Sequence, residues 1–288
     1  MNPVFLGTAA ALCWGMLDFL AGKTGRRIGP LPVTAAVTLF GLVLISLWLL
    51  AFGELPTLLR GDVWWPVVAG IGVALATLFL FTAITSGPIS LAVPVAMSYP
   101  ATSVLLGAFL GSIPSLTQLA FVALILIGAF LVACGESETG SAALEETPGR
   151  WRRTITFAIL AHLTFVVGVF AGQKSALLFD EIQSVWISRL AGAAIMLPLV
   201  LARPAPIRPQ IPYLPVLAAM GLLDVFAITL LFAAGKSAQP ELANVCATAS
   251  GAITIVLAWI FLHEKIAYLR WLGIAATFSG IAALSAFK

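Results

Sequence analysis

Residues 87–133 read GPISLAVPVAMSYPATSVLLGAFLGSIPSLTQLAFVALILIGAFLVA, and this stretch decides the fold class. The tight turn SIPS (112–115) divides it into two helix-sized halves, each apolar enough to sit in lipid. The first half carries Pro94 and a Tyr99-Pro100 step in its middle. Each proline removes a backbone donor and loosens the preceding turn. In hydrocarbon, the carbonyls so freed are tolerated only against protein or a water-filled cavity. This helix is therefore predicted to face the interior. A similar stretch, SAQPELANVCATASGAITIVLAWIFLHEKIAYLRWLGIAATFSGIAALSA, closes the chain at 237–286.

Composition supports a membrane reading. The chain has 288 residues, of which 61% are hydrophobic and only 9% charged, with a mean hydropathy of +1.08. A soluble domain carries roughly a quarter charged residues. The apolar runs have the length of helices that span a bilayer and lack the alternation of a membrane β-barrel. The net charge of +3 is small and its carriers are scattered, so no nucleic-acid partner is expected. Cys13, Cys134 and Cys246 lie in separate apolar segments, which argues against a disulfide framework or metal site. The start, MNPVFLG, has no basic region and reads as a retained span.

Apolar runs and polar interruptions give ten predicted spans, near 3–21, 32–52, 63–84, 89–111, 116–134, 154–173, 183–202, 212–235, 240–262 and 267–287. The segment GESETGSAALEETPGRWRR (135–153) is hydrophilic, small-residue rich and central, so it reads as a linker between residues 1–134 and 154–288. Five crossings per half would set the second half upside down relative to the first. The expected fold is thus all-α and integral to the membrane: ten transmembrane helices as two inverted five-helix repeats around a central cavity. Leu20-Ala21-Gly22 is echoed by Phe170-Ala171-Gly172, Gly41 by Gly192, Pro66 by Pro215, Gly72 by Gly221 and Gly128 by Gly280. Ten spans put both termini on one side. The loops after odd spans hold nine Lys or Arg against four on the other side, which places the termini outside by the positive-inside rule.

Ionisable groups inside spans need an explanation. His162 and Asp224 lie near the middle of the sixth and eighth spans, Asp18 in the last turn of the first, and Arg189 two turns into the seventh. An Asp can take a proton or a substrate ammonium, and an Arg can clamp a carboxylate. The plainer alternative is an internal pair, such as Asp224 with Arg189, locking two helices. Met97, Ser98, Tyr99 and Pro100 surround the expected kink, and Asn244, Cys246, Thr248 and Ser250 dot the corresponding stretch of the second half. These two helices are expected to form facing cavity walls. Trp14, Phe79, Phe81, Tyr99 and Phe165 are candidate aromatic lining. Trp64, Trp65 and Trp151 read as interfacial belt residues. Gly107-xxx-Gly111 and Gly168-xxx-Gly172 permit close helix approach within a monomer or in a homodimer.

The layout resembles the EamA-type exporters of the drug/metabolite transporter superfamily over nearly the whole chain. The resemblance rests on Trp14-Gly15 followed by Lys23, the proline-bearing fourth span with Pro100, and LHEK at 262–265 followed by Gly273 and Gly280. Three positions depart from a symmetric family pattern: Ser112 stands where a counterpart of Glu264 belongs, Gly251 or Ala252 opposite Pro100, and Thr38 opposite Arg189. The resemblance implies termini in the cytoplasm of a bacterial-type inner membrane, opposite to the charge count, so the orientation stays open. It also implies export of small metabolites, amino acids among them, and the candidate aromatic lining would suit a large apolar side chain. A zwitterion needs an acceptor for its ammonium and donors for its carboxylate, which Asp18, Asp224, Asn244 and Arg189 supply. Proton coupling through His162 or Asp224 and facilitated diffusion both fit. Efflux of hydrophobic cationic drugs is the alternative within transport, and a membrane enzyme or lipid-handling protein the alternative outside it. No phosphate-binding loop, metal cluster or nucleophile–base pair is visible, so neither enzymatic activity nor a cofactor is expected.

Overall fold

The computed structural model describes residues 2–53, 61–86, 95–96, 98–111, 113–134, 148–202, 211–262 and 267–286, and these are all helix or short connection. In chain order the helices are α1 (Pro3–Ile28), α2 (Pro30–Phe52), α3 (Trp64–Ser86), α4 (Tyr99–Phe109), α5 (Leu116–Cys134), α6 (Pro148–Ser175), α7 (Glu181–Leu201), α8 (Leu214–Ala233), α9 (Glu241–Ala247), α10 (Ala249–Leu262) and α11 (Tyr268–Ala286). Among the described residues, eight helical stretches are long and apolar enough to cross a membrane, with α9 and α10 counted as one stretch. Two shorter apolar helices, Tyr99–Phe109 and Leu116–Val132, accompany them. Only 33–50% of each long stretch is buried inside the protein, so the remaining surface must be matched by an apolar surround. Leu47, Trp48 and Phe52 of α2 and Ile127 and Phe130 of α5 are among the large apolar side chains turned outward.

Several boundaries differ from those read in the sequence. α1 continues to Ile28, through the polar residues expected to end it at 21. α6 begins at Pro148, inside the expected linker. The ninth span is not one helix but two, divided at Thr248. Trp65 is not simply a belt residue: it stacks on Trp64 at 3.8 Å and meets Phe170 edge-on at 6.1 Å, in a core cluster with Ile45 and Phe232. The two small-residue motifs do not form one contact face. Gly107 lies under the Glu241 side chain, Gly168 against Gly72 and Val73, and Gly172 against the Phe232 ring, whereas Gly111, with φ +93°, ends α4 in open space. Pro94, Met97, Ser112, Glu264 and residues 135–147 of the linker lie outside the described residues.

Helix contacts across the two halves come in exchanged pairs. α1 packs along α8, and α3 along α6; α2 meets α8, and α3 meets α7. α1 meets α9 and α10, while α4 meets α6; α2 lies on α7, and α5 on α11. The exchange extends to single residues. A Cβ on Gly41 would face the Val225 side chain, the Gly221 carbonyl and Arg189. One on Gly192 would face the Ala74 Cβ, the Gly70 carbonyl and Thr38, the corresponding positions with the halves swapped, so Gly221 answers to Gly70 and not to the Gly72 paired with it in the sequence. Gly128 abuts Thr277 and the Gly273 carbonyl, and Gly280 abuts Ile125 and the Phe121 carbonyl. Bare backbone at these crossings lets the helices approach closely, which is how membrane helices gain packing contact.

Turns repeat in the same way. Gly29, at φ 93° and ψ 155°, precedes α2, and Asp180, at φ 85° and ψ 150°, precedes α7. One 3₁₀ turn leads into α3 (Gly61–Val63) and another into α8 (Ile211–Tyr213). The Ser98 hydroxyl donates to the Val95 carbonyl at 2.7 Å, and the Thr248 hydroxyl to the Val245 carbonyl at 2.6 Å. Backbone bonds at both places tighten to i→i+3: Ala101 N–H to Ser98 O and Gly251 N–H to Thr248 O. The break is therefore duplicated although the proline is not. A hydroxyl that binds a nearby carbonyl competes with the helical ladder, and this does in the second half what Pro100 assists in the first.

Candidate functional site

The ionisable residues singled out in α7 and α8 are a pair. Arg189 Nη1 lies 2.6 Å from Asp224 Oδ2, with side chains 6% and 17% exposed. Arg189 Nη2 also donates to the Asp224 backbone carbonyl at 3.4 Å, while its Nε is buried with no partner among the described residues. Gly41 makes room: a Cβ there would stand 3.8 Å from Arg189 Nε and only 2.8 Å from Val225 Cγ2. The exchanged position in the first half holds Thr38, whose hydroxyl bonds to Thr34 O in its own helix. Only one of the two equivalent crossings carries charge. An intramembrane charge persists where a partner offsets its desolvation, and such groups concentrate along functional paths.

A row of aromatic rings leads away from this pair. Trp14 Nε1 of α1 donates to Asp224 Oδ1 at 3.1 Å. Its ring lies 5.8 Å from Phe165 of α6, which Tyr99 of α4 meets edge-on at 4.6 Å. The Tyr99 hydroxyl then donates to the Asn244 backbone carbonyl of α9 at 3.3 Å. Each ring buries apolar surface, and the Trp and Tyr polar atoms each reach an acceptor, as buried ones must. Asp18, one helical turn beyond Trp14, is exposed and close enough to Asp224 for the two charges to interact.

His162 bridges α6 to α4. Its Nδ1 lies 3.0 Å from Ser98 Oγ and its Nε2 2.8 Å from Thr102 Oγ1. Ser98 and Thr102 are one turn apart and so share a face. The Ser98 hydroxyl proton is already given to the Val95 carbonyl, so a neutral imidazole here donates from Nδ1 to Ser98 Oγ and accepts at Nε2 from the Thr102 hydroxyl.

Of the residues proposed from sequence, the structure joins Trp14, Ser98, Tyr99, His162, Phe165, Arg189, Asp224 and Asn244 through α1, α4, α6, α7, α8 and α9. Pro100 is buried at the start of α4. Thr248 is buried at the break. Phe79 lies elsewhere along the α3–α6 seam, 5.8 Å from Phe157, whose ring also carries Arg153 at 5.8 Å. Met97 is outside the described residues. Sequence reasoning missed Thr102, Gln173 and Glu241. The spacing of Thr102 from Ser98 was a usable signal. Gln173 and Glu241 sit at span ends, where polar residues ordinarily mark an interface, yet they are 6% and 3% exposed. Among the described residues no group of three His, Cys, Asp or Glu side chains gathers to hold a metal ion.

Described residues that are helix or short connection, with eight apolar membrane-length stretches among them and a buried polar interior, define a multi-pass integral membrane protein. The chain belongs to the EamA-like transporter family, whose model matches residues 1–134 and 152–286, and so to the drug/metabolite transporter superfamily. It is a membrane transporter, and its substrate is a small molecule. No curated protein matches the chain. Twenty-nine chains of solved structures do. One of them, a crystal structure of a protein, aligns with a TM-score of 0.76 at 20% identity, over 99% of this chain and 97% of that one, which shows a shared fold.

Proposed function

We propose that this protein is a secondary transporter that exports small metabolites, specifically amino acids with large apolar or aromatic side chains. It would work by alternating access between two inverted five-helix repeats. The observation that carries this is the continuous line Arg189–Asp224–Trp14–Phe165–Tyr99–Asn244, which draws on both halves of the chain. It sets opposite charges, Arg189 and Asp224, side by side at one end and ring faces beyond them, which suits a solute whose ammonium and carboxylate share one carbon and whose side chain is apolar. The exchanged glycine contacts, the repeated positive-φ turn and the duplicated helix break support the two-repeat architecture, with ten crossings in all. Rocking one repeat against the other would then alternate access to the line between them. Asp18 and Asp224 together outnumber Arg189, which also favours a cationic group in the substrate, shared by amino acids and by cationic drugs.

Counterflow into liposomes containing the purified protein tests the proposal, using labelled phenylalanine, leucine, a lipophilic quaternary amine and a sugar. Phenylalanine and leucine are expected to exchange. Exchange of the amine alone would replace this reading with drug efflux, and exchange of nothing under any pH gradient would remove it.

A further inference from the structure

The two ends of the bundle differ. At one end α1 begins and α11 finishes: Val4 clusters there with Ile281 and Leu284, and with Leu242 of α9. Toward this end Gln173, Glu241, Ala243 and Asn244 are buried. Toward the other end Asp18 and Ser98 are exposed, and Trp14, His162 and Asp224 are half-buried. The connection 234–240, between α8 and α9, covers the closed end. It is tied to its own half of the chain. A Cβ on Gly235 would fall 2.2 Å from the Gln173 carbonyl, and Gln173 Nε2 donates to the Pro240 carbonyl at 3.4 Å. Lys236 pairs with Asp180 at 3.2 Å and with Glu181. The connection is therefore held to α6 and to the turn before α7. Across the halves, Gln239 meets Gln118 of α5 in a reciprocal amide pair. Gln118 Nε2 donates to Gln239 Oε1 at 3.0 Å, and Gln239 Nε2 to Gln118 Oε1 at 3.3 Å. The start of α5 fixes one partner. The Ser115 N–H, which can only donate, bonds to Gln118 Oε1 at 2.9 Å, and Ser115 Oγ accepts from the Gln118 N–H at 3.2 Å. This capping box turns the Gln118 NH₂ toward Gln239.

We infer that Gln118 and Gln239 form a latch that holds this end of the transport path shut. It parts when this end opens and re-forms when it closes, and in the arrangement described the solute reaches the Arg189–Asp224 pair from the opposite end. Two properties suit the pair to that task. It joins the first half to the second, so a rocking motion between the halves must break it. It is also neutral and half-buried, so both amides pass to water at modest cost. Bare backbone completes the same seam, with Gly107 against the Glu241 side chain and Gly7 against the Ala243 carbonyl. This inference rests on the alternating-access reading proposed above and adds to it a contact that distinguishes the two states.

Nitroxide labels on cysteines replacing the exposed Leu116 and Leu177, one from each half at this end, report its opening by double electron–electron resonance. The background has Cys13, Cys134 and Cys246 replaced by alanine and keeps wild-type melting. Gln239→Met keeps the side-chain length and loses both bonds. It is expected to raise the ratio of long-distance to short-distance populations about tenfold, the weight of two half-exposed neutral hydrogen bonds. Gln118→Glu with Gln239→Lys keeps the cap and puts an ion pair across the seam, which is expected to lower the ratio. Gln118→Glu with Gln239→Glu sets two carboxylates face to face, which is expected to raise it. These two double variants decide the matter should Gln239→Met fail to fold. Joining Gln118→Cys to Gln239→Cys with a bifunctional methanethiosulfonate is expected to abolish phenylalanine counterflow until the link is reduced, while phenylalanine binding in detergent persists. An unchanged ratio in Gln239→Met, shifts in one direction for both charge variants, or wild-type counterflow through the linked protein would overturn the inference. The distance measurement uses no solute. A wild type that exchanges no amino acid would therefore remove the substrate reading, while the populations still decide the latch.

Discussion

Replacing Asp224 by Asn removes one charge and almost nothing else. The Asn retains an oxygen for Trp14 Nε1, now 3.1 Å from Asp224 Oδ1, and has nearly the same volume. What it loses is the partner of Arg189 at 2.6 Å. At an effective dielectric constant of about 20 the gross attraction at that distance is about 6 kcal/mol, most of it offset by the desolvation of both ions. The measurable quantity is the cost of leaving one ion alone. Arg189 is buried, and its Nε already has no partner among the described residues. Asp224→Asn should therefore destabilise by about 3–5 kcal/mol, and Arg189→Met by a similar amount. The double variant, with no charge left to strand, should return to within about 1–2 kcal/mol of wild type, giving a coupling energy of several kcal/mol. Unfolding free energies in mixed micelles at rising SDS fraction measure all four corners of the cycle. Single variants that each cost less than about 1 kcal/mol, or costs that simply add, would refute the buried pair. Counterflow with the double variant then separates two roles. Loss of exchange in a stable protein places the pair in the transport path, whereas full exchange reduces it to a lock between α7 and α8.

Three further outcomes follow from the packing and the turns. Gly70→Ala should destabilise by more than about 2 kcal/mol, since its Cβ would lie 2.0 Å from the Ser188 carbonyl, whereas Gly251→Ala, with nothing within 4 Å, should be neutral or stabilising by up to about 1 kcal/mol; the same mixed-micelle titration compares them. Asp180 holds a backbone conformation that glycine occupies easily, so Asp180→Gly should be more stable than Asp180→Ala by about 1–3 kcal/mol. Burial alone would raise the Asp180 carboxyl, but contacts with Glu181, Lys236 and the Ile182 N–H outweigh it and hold the pKa below its ordinary value. The stabilisation this gives is complete above the ordinary carboxylate range and is lost as pH falls through the lowered pKa, so a melting series at pH 7 down to pH 3 should show it in wild type and not in Asp180→Gly. Thr248→Val removes the hydroxyl from the Val245 carbonyl while keeping its shape; the maximal counterflow rate should fall with KM little changed, and an unaltered rate would show that the break needs no hydroxyl.

Much of the scaffold was legible before any coordinates. The run at 87–133 marked a membrane protein, and the paired glycines Gly41 with Gly192 and Gly128 with Gly280 were visible as echoes in the sequence. They later proved to make exchanged contacts. The Arg189–Asp224 pair was foreseen as one of two readings, because a membrane interior leaves few ways to keep an ion. Trp65 was less legible: a Trp at a span end reads as interfacial, and only its contact with Phe170 shows it packed inward. Gln173 was missed because its hydrophobic neighbours run out just beyond it, and polarity at a span end has a simpler explanation. The duplicated helix break was obscured by Pro100, which drew attention to the first half while Thr248 made the equivalent break with a hydroxyl.

The sequence by itself determined that the chain is helical and spans a membrane, because a lipid-facing backbone must satisfy its hydrogen bonds within each helix and apolar length alone sets which segments can do so. It also determined where small residues allow helices to touch. Only the tertiary structure decided which polar groups meet. Trp14 bonds to Asp224 across 210 positions of the chain, and Tyr99 to Asn244 across 145. Helical periodicity fixes the face on which a side chain stands, but the crossing of one helix against another fixes what stands opposite, and that is a property of the whole packing. For the same reason the charge is placed unevenly: Arg189 and Asp224 pair within the second half, while the exchanged position opposite Arg189 holds the neutral Thr38.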